Sequence, residues 1–351
     1  MQKRVVYILH KNGAKSHYTA LDNLLKKNDT ILKHREFSVF GTLFKSIISL
    51  NGSLLKKQLI NFIFLLELLL SKNKKIVLGI APFDKKLVIL KTLLKSHQIY
   101  YHTSWTCWDG SFHPKRKKNT PKVKKSWKLF LENDVKHIFT VTEKSKKQLI
   151  ENYDIKEDKI DVVYHALDSV FFNNHQEINK KPLSFIYLGR LLPQKGITEL
   201  LDFFSKQNKA TLTIIGNGKT EKEVADFASK HDSITHYPFI KDQQKIINLI
   251  SNHEYLVLNS KKTTKWEELF GLVIIECMSQ GTIPIATNHS GPKEIITSDI
   301  GYLSREGEIL SVISKLIKNE SFDEEMSKNA RKKALIYKVD AISERWKAIL
   351  N

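Results

Sequence analysis

Two carboxylates in the last third of the chain have a spacing that could bind hydroxyl groups of one ligand. Glu268 and Glu276 are separated by seven residues, with Phe270-Gly271-Leu272 between them. The apolar run 270–278 predicts a buried helix that begins near Gly271 and ends in a left-handed turn at Gly281. The free N–H groups and positive dipole end of such a helix favour an anion, and glycine lets a phosphate approach the backbone closely. One acid would then lie on either side of a diphosphate, which is the layout of a nucleotide sugar.

The residues between the two acids carry a resemblance to a known family. The run Glu268-x-Phe270-Gly271-Leu272-x3-Glu276-x-Met278-x2-Gly281-x2-Pro284 resembles the Glu-x7-Glu signature of retaining glycosyltransferases of family four, which have the GT-B fold. The bare spacing would equally suit an amphipathic helix with two acids on its solvated side, so the specificity comes from the intervening residues. The resemblance implies that Glu276 binds ribose hydroxyls and that Glu268 has a catalytic position at the donor sugar. It places Phe270, Gly271, Leu272 and Val273 against the donor.

A second stretch supplies cations for the same ligand. The strand-like run 183–188 is followed by Gly189-Arg190 and then by Lys195-Gly196, which resembles the family's Gly-Arg…Lys-Gly loop. The planar fork of arginine and the compact charge of lysine both suit phosphate oxygens, although two surface cations are the simpler alternative. Gly189, Arg190 and Lys195 are therefore expected donor-binding residues, and Phe239 is the expected wall of the nucleoside base. The chain has no Asp-x-Asp pair, so we expect no divalent metal and no cofactor beyond the donor.

The first half of the chain alternates strand-like and helical runs, as in a parallel sheet covered by helices. His102 ends one such strand, and ligands of open parallel sheets bind beyond these carboxyl ends. The resembled family often has a histidine there, close to the donor sugar and the acceptor, so His102 is a candidate catalytic residue. The alternative is a structural histidine whose hydrogen-bonding groups are paired with other residues inside the fold. Gly13 is a weaker candidate in the loop after the first strand, and Trp105 and Trp108 could stack on a sugar or fill the core.

Positive charge is concentrated in the first half. The chain has a net charge of +20, and residues 1–172 hold 32 of its 57 Lys and Arg but 15 of its 37 Asp and Glu. Residues 115–125 contain seven cations, and Pro114 and Pro121 predict a loop. A plain exposed loop, a nucleic-acid patch and a contact to anionic lipid or pyrophosphate all fit this charge. Nucleic acid is disfavoured because no recognition motif accompanies it, so we expect an anionic membrane surface as partner.

The most apolar segment, 54–70, is too short in its charge-free part to span a bilayer. It is predicted to be a core helix on the parallel sheet, with an interfacial helix edged by Lys56 and Lys57 as the alternative.

These patterns together predict an α/β protein of two domains. The resemblance implies two facing Rossmann-like domains with an interdomain cleft: 1–172 for the acceptor, joined by a C-terminal helix at about 335–351 that crosses back, and 173–334 for the nucleotide sugar. Two cysteines provide no disulfide framework, and the first residues lack a signal peptide, so a reducing, cytoplasmic location on the inner membrane face is expected.

The expected function is metal-independent, retaining transfer of a hexose-type sugar from a UDP- or GDP-linked donor to a glycan or lipid-linked acceptor. Bacterial surface polysaccharide or lipopolysaccharide synthesis is the setting implied by the family. A phosphorylase or epimerase fits the loop of Arg190 and Lys195 less well. The alternative from another class is a catalytically silent GT-B protein that binds membranes or anionic polymers.

Overall fold

The computed structural model describes residues 4–11, 13, 15–111, 120–173, 180–264 and 266–351. The chain divides into two compact units, which we call unit 1 (1–166 and 339–351) and unit 2 (167–338). Each contains one six-stranded parallel sheet with helices around it. Strands and helices are numbered along the whole chain.

The first division falls at 166/167 rather than at the expected 172/173 because backbone contacts tie the intervening residues to unit 2. The N–H of Leu167 donates to the carbonyl of Tyr337 at 2.8 Å. The side-chain amide of Gln280 donates to the carbonyl of Phe171 at 2.6 Å. Residues 167–172 therefore pack as part of unit 2.

The sheet of unit 1 has the strand order β2-β1-β3-β4-β5-β6. Its strands are β1 (Arg4–His10), β2 (Thr30–Glu36), β3 (Lys75–Gly79), β4 (Gln98–Thr103), β5 (Val135–Thr140) and β6 (Ile160–Val162). Its helices are α1 (Thr19–Lys27), α2 (Val39–Ile48), α3 (Gly52–Leu70), α4 (Lys86–Leu94), α5 (Pro121–Leu129), α6 (Glu143–Asn152) and α14 (Val339–Glu344). Because all pairings are parallel, the residues that follow the strands collect at one edge of the sheet.

Part of the lysine-rich segment is helical, which corrects the predicted loop. Thr120 caps α5 by accepting the N–H of Val123 at 3.3 Å, and Pro121 occupies the first helical position. Proline is favoured there because its missing N–H would have no intrahelical partner. Lys122, Lys124 and Lys125 lie exposed on this helix, whereas 112–119 fall outside the described residues.

Helix α3 is less buried than a core helix, which was the favoured prediction for 54–70. A single stripe of Gln58, Asn61, Phe64 and Leu68 is buried, and most of its other apolar residues are exposed. None of the helices in the described part of the chain is long and apolar enough to cross a membrane.

The C-terminal segment 339–351 packs on unit 1, and it begins four residues later than the expected start at about 335. Ser343 donates its hydroxyl to the carbonyl of Ala20 at 2.7 Å, and the ammonium of Lys75 donates to the carbonyl of Ile349 at 2.8 Å. The ring of Trp346 packs on Phe139 with centroids 4.4 Å apart, inside the core that covers the sheet.

The sheet of unit 2 has the order β12-β11-β10-β7-β8-β9. Its strands are β7 (Lys181–Leu188), β8 (Thr211–Ile215), β9 (Ile234–Tyr237), β10 (His253–Leu258), β11 (Ile283–Thr287) and β12 (Tyr302–Ser304). Its helices are α7 (Ile197–Phe204), α8 (Glu221–Ala228), α9 (Gln243–Ser251), α10 (Leu272–Ser279), α11 (Ser290–Ile295), α12 (Ile309–Asn319) and α13 (Glu324–Ala334). Counted within the unit, this is the doubly wound order 3-2-1-4-5-6, and its topological switch point lies between β7 and β10.

Replacing Trp346 by alanine should destabilise unit 1 by about 3–5 kcal/mol, because the indole is buried and its loss leaves a cavity. Urea unfolding followed by near-UV and far-UV circular dichroism measures this change. Lys347→Ala, at an exposed neighbour, is the matched control and should change stability by less than about 0.5 kcal/mol. Equal unfolding midpoints for W346A and the unmodified protein would contradict this account of the returning segment.

Candidate active site

The loop after β7 presents Arg190 at the switch point of unit 2. Gly189 has φ +143°, and its N–H donates to the carbonyl of Ile215 at 3.0 Å. The phenol of Tyr187 donates to the carbonyl of Arg190 at 2.9 Å. This fixes the main chain of Arg190 while its side chain stays exposed to solvent. An exposed guanidinium on a pinned backbone can bind an anion without rearrangement of the loop.

Lys195 links this loop to the one that follows β10. Its ammonium lies 2.5 Å from Oε2 of Glu268 and 4.5 Å from the ring centre of Trp266. Both partners of the ion pair are largely buried. Asn259 fixes the turn that follows Lys195, because its side-chain amide donates to the carbonyl of Gly196 at 3.0 Å. Gly196 has a left-handed backbone conformation. Two segments more than seventy positions apart therefore meet at one point.

Arg190 belongs to the same neighbourhood. Burial and the nearby Glu268 carboxylate raise the pKa of the Tyr187 phenol, and the Arg190 guanidinium opposes that rise. One phenol thus lies within electrostatic reach of both groups. The structure joins two of the predicted site residues, Lys195 and Glu268, and Arg190 lies close enough to act on the same phenol as Glu268.

Gly271 is the N-cap of α10, as expected, with φ +86°. A methyl group at this position would lie 2.8 Å from Cδ1 of Ile274, so both the backbone conformation and the space favour glycine. The first N–H groups of the helix have no intrahelical acceptor, which makes this end attractive to an anion. At the other end, Gly281 has φ +67°, the predicted left-handed stop.

Side chains around Gly271 differ in exposure. Leu272 and Val273 are half-buried, whereas the ring of Phe270 is buried against Tyr337 with centroids 6.1 Å apart. We therefore expect a donor contact at Phe270 to come from its main chain. Phe239, the expected wall of the base, lies in the loop after β9 with 63% of its surface exposed.

His289 holds the main chain of Glu268, and sequence reasoning missed it. Its Nδ1 accepts the N–H of Glu268 at 3.2 Å, so Nε2 carries the proton and donates to Oε1 of Glu306 at 2.8 Å. Gly291 completes the support, because its N–H donates to the carbonyl of Glu268 at 3.0 Å. The only sequence signal was the run Gly291-Pro292-Lys293-Glu294, which resembles a family turn and begins two residues after His289.

Glu276 lies one turn into α10 and is half-buried. Burial raises the pKa of its carboxyl to about 7. Its side chain makes no hydrogen bond or ion pair with the residues that the structure describes, 174–179 and 265 being outside them. Such a carboxylate is suited to accept hydrogen bonds from a ligand's hydroxyls.

In unit 1, His102 lies within an aromatic and imidazole cluster at the carboxyl edge of the sheet. Its Nδ1 lies 3.1 Å from the phenol of Tyr18, and its ring is 5.2 Å from that of Trp346. Burial lowers the pKa of His102 well below its usual value, and the neighbouring His165 and His17 lower it further. The imidazole is therefore neutral at neutral pH and can take part in hydrogen bonds.

The remaining candidates of unit 1 separate into two groups. Gly13 has φ +73° and lies beside Glu36, close to Oε1 of that carboxylate. Trp105 and Trp108 are buried in the core, which decides between the two alternatives for them.

In the described part of the chain, no group of three or more His, Cys, Asp or Glu is arranged to hold a metal ion.

The family model described as Glycosyl transferases group 1 matches residues 170–333, nearly all of unit 2. Among curated relatives, 24% identity over 229 residues links the chain to N,N'-diacetylbacillosaminyl-diphospho-undecaprenol alpha-1,3-N-acetylgalactosaminyltransferase of Campylobacter jejuni, covering 60% of this chain and 59% of that protein. N-acetyl-alpha-D-glucosaminyl L-malate synthase of Bacillus anthracis is 24% identical over 176 residues, 48% of this chain and 45% of that protein. The chain thus spans about half the length of the curated relatives it matches.

Solved structures agree over the whole length. HepE of Anabaena in complex with UDP superposes with a TM-score of 0.69 at 15% identity, covering 99% of each chain. TarM superposes with a TM-score of 0.70 at 13% identity, covering 100% of this chain and 99% of the other. At these identities the likeness establishes the fold, two Rossmann-like domains of GT-B type. The family match covers residues 170–333, just under half of the chain, so unit 2 is similar to glycosyl transferases group 1.

Proposed function

We propose that the protein transfers a hexose-type sugar from a UDP- or GDP-linked donor to a glycan or lipid-linked acceptor, with retention of anomeric configuration. The observation that carries this proposal is the Lys195–Glu268 ion pair, which joins the cationic loop after β7 to the motif loop before α10. Relatives support the choice of donor: HepE of Anabaena has been solved with UDP-glucose. The name of the Campylobacter relative, which includes a diphospho-undecaprenol, supports a lipid-linked acceptor.

In this proposal unit 2 binds the donor. Arg190, Lys195 and the N–H groups of Gly271 and Leu272 surround the diphosphate, without a metal ion. Their charges and dipoles stabilise the negative charge that develops on the leaving nucleoside diphosphate, which is usually the largest catalytic contribution. Glu276 accepts from the ribose hydroxyls, and Glu268 from the hydroxyls of the transferred sugar.

Unit 1 binds the acceptor, and His102 is its proposed catalytic residue. A neutral imidazole can accept or donate a hydrogen bond at the reacting sugar without adding charge. The setting that we propose is bacterial surface polysaccharide or lipopolysaccharide synthesis on the inner face of the cytoplasmic membrane. The name of a further relative, an O-antigen chain mannosyltransferase of Salmonella typhimurium, supports it.

Thermal unfolding with a panel of UDP- and GDP-sugars identifies the donor, because a bound ligand raises the melting temperature by mass action. Titration calorimetry with UDP and GDP then separates an enzyme from a silent member of the fold. A protein that only binds membranes or anionic polymers through unit 1 should give no heat with either nucleotide.

Glu268→Ala should lower transfer by about 100-fold or more, since a misplaced donor sugar loses its reactive geometry. It should leave nucleotide affinity nearly unchanged, because the carboxylate contacts the sugar. Arg190→Ala and Lys195→Ala should weaken nucleotide binding by roughly 10- to 100-fold, as expected for a lost charge-assisted hydrogen bond. Steady-state transfer and calorimetry measure the two effects. Glu325→Ala and Arg305→Ala, at exposed positions of unit 2, are the matched controls and should behave as the unmodified protein. Undiminished transfer by E268A would refute its assigned role.

Donor affinity should fall at low pH because the carboxyl of Glu276 accepts hydroxyl hydrogens best when ionised. With a pKa of about 7, its ionised fraction falls from about nine tenths at pH 8 to about one tenth at pH 6, so the dissociation constant should rise about tenfold. The titration uses an intact nucleotide sugar, whose phosphates are esterified on both sides and do not titrate in this range. The Glu276→Gln variant should bind the nucleotide sugar weakly, and its dissociation constant should not show this pH dependence. If the dissociation constant of E276Q changed with pH as steeply as that of the unmodified protein, the titrating group would be another residue.

A further inference from the structure

From Leu59 to Leu70, one exposed side of α3 is apolar. Leu59, Ile63, Leu66 and Leu70 have the spacing i, i+4, i+7 and i+11, which places them on one face of the helix. Their exposed fractions are 45%, 61%, 46% and 90%. We call this row the α3 apolar face. Exposed apolar residues are ordinary when scattered singly, but a continuous row is typical of a contact surface.

A buried polar network fixes this orientation. Gln58 donates its amide to Oε2 of Glu36 at 2.9 Å, and the side-chain oxygen of Asn61 accepts the N–H of Glu36 at 3.1 Å. Both amide side chains are almost completely buried. A rotation that buried the apolar face would break these hydrogen bonds and leave polar groups unpaired. The helix is therefore held with its apolar side outward.

Helix α2 and the turn that joins it to α3 also carry exposed apolar side chains. Phe44 and Ile48 on α2 and Leu50 in the connecting turn are 68%, 70% and 92% exposed. Helix α2 packs beside α3, so these exposed apolar side chains belong to the same pair of packed helices as the α3 apolar face.

Cations lie beside the apolar residues. An open cavity of about 850 Å³ lies between β2 and the first turns of α3, and its lining includes the acid Glu36 and the cations Lys15, Lys33, Arg35, Lys56 and Lys57. Nε of Arg35 is buried there without a hydrogen-bond partner among the described residues.

The two acids nearest this surface are already paired. Glu36 pairs with Lys57 at 2.6 Å, and Glu67 on the outer side of α3 pairs with Lys74 at 2.7 Å. Unit 1 as a whole has 34 Lys and Arg against 16 Asp and Glu.

We propose that unit 1 docks on an anionic phospholipid bilayer through the α3 apolar face and the adjoining residues of α2. The apolar side chains enter the boundary between headgroups and acyl chains, and the cavity lined by cations takes lipid phosphates. This is the layout of an interfacial helix, apolar on one side and bordered by lysine. Of the two predictions for residues 54–70, this proposal favours the interfacial helix over the core helix. It also places the membrane contact on a surface other than residues 115–125. The inference deepens the proposed membrane setting, but it does not depend on the donor site.

Co-sedimentation with vesicles of phosphatidylcholine and phosphatidylglycerol (70:30), and of phosphatidylcholine alone, tests the proposal. The full chain should bind the anionic vesicles more tightly, and salt should weaken that binding. The triple variant Leu59→Gln, Ile63→Gln, Leu66→Gln should bind at least tenfold more weakly. Lys15→Gln, Lys33→Gln and Lys56→Gln should each cost about fivefold on anionic vesicles and little on neutral ones.

Matched controls come from unit 2. Leu335→Gln removes a leucine with the same 45% exposure as Leu59, and Lys206→Gln removes an exposed lysine. Both should bind vesicles as the unmodified protein does. Circular dichroism and titration with UDP or GDP check that the triple variant keeps its fold and donor site, so that a docking failure is separable from loss of the proposed activity.

Three results would overturn the proposal. The full chain could fail to sediment with anionic vesicles, or the triple variant could bind them as tightly as the unmodified protein. Light scattering could instead show a dimer that the triple variant converts to monomer with vesicle binding unchanged, which would assign the face to a second copy of the chain.

Discussion

The ammonium of Lys195 is shared between the Glu268 carboxylate and the indole ring of Trp266. Partial burial makes this ion pair stronger than one at the surface, but its net stabilising effect is modest because both charges lose water. Its larger effect is geometric, since it holds two distant loops at the switch point of unit 2.

The rest of unit 2 keeps that meeting point fixed. The strand order brings the carboxyl ends of β7 and β10 side by side, so the two loops start as neighbours. Positive φ values at Gly189, Gly196 and Gly271 allow the backbone to turn sharply where side chains would clash. His289 and Glu306 then hold the N–H of Glu268 from behind. Such a site has little conformational entropy left to lose when a ligand binds.

The limits of sequence reasoning follow from which interactions are local. The helix predicted over 270–278 with its stop at Gly281 and the strand predicted over 183–188 depend on nearby residues, and the structure has them at 272–279 and 181–188. Strand β2 was not predicted, because at a sheet edge its charged residues mask the alternating pattern. The hydrogen bonds of His289 and the outward orientation of α3 depend on tertiary partners such as Glu306 and Glu36, which no periodicity reveals. Pro121 predicted a loop where Thr120 caps a helix, since proline both ends and begins helices. The assignments of the donor and acceptor residues remain predictions.

Unit 1 is discontinuous in sequence, whereas unit 2 is a single uninterrupted stretch. During synthesis the ribosome produces the sheet of unit 1, then all of unit 2, and only afterwards the segment that contains Trp346. Domains usually fold as their residues emerge, with the N-terminal one first. Here the order in which the units are completed is reversed. Unit 2, which is made later, can close its core first, while unit 1 keeps apolar surface uncovered until residues 339–351 have been synthesised. That interval is when an unfinished chain is most exposed to aggregation and most in need of a chaperone.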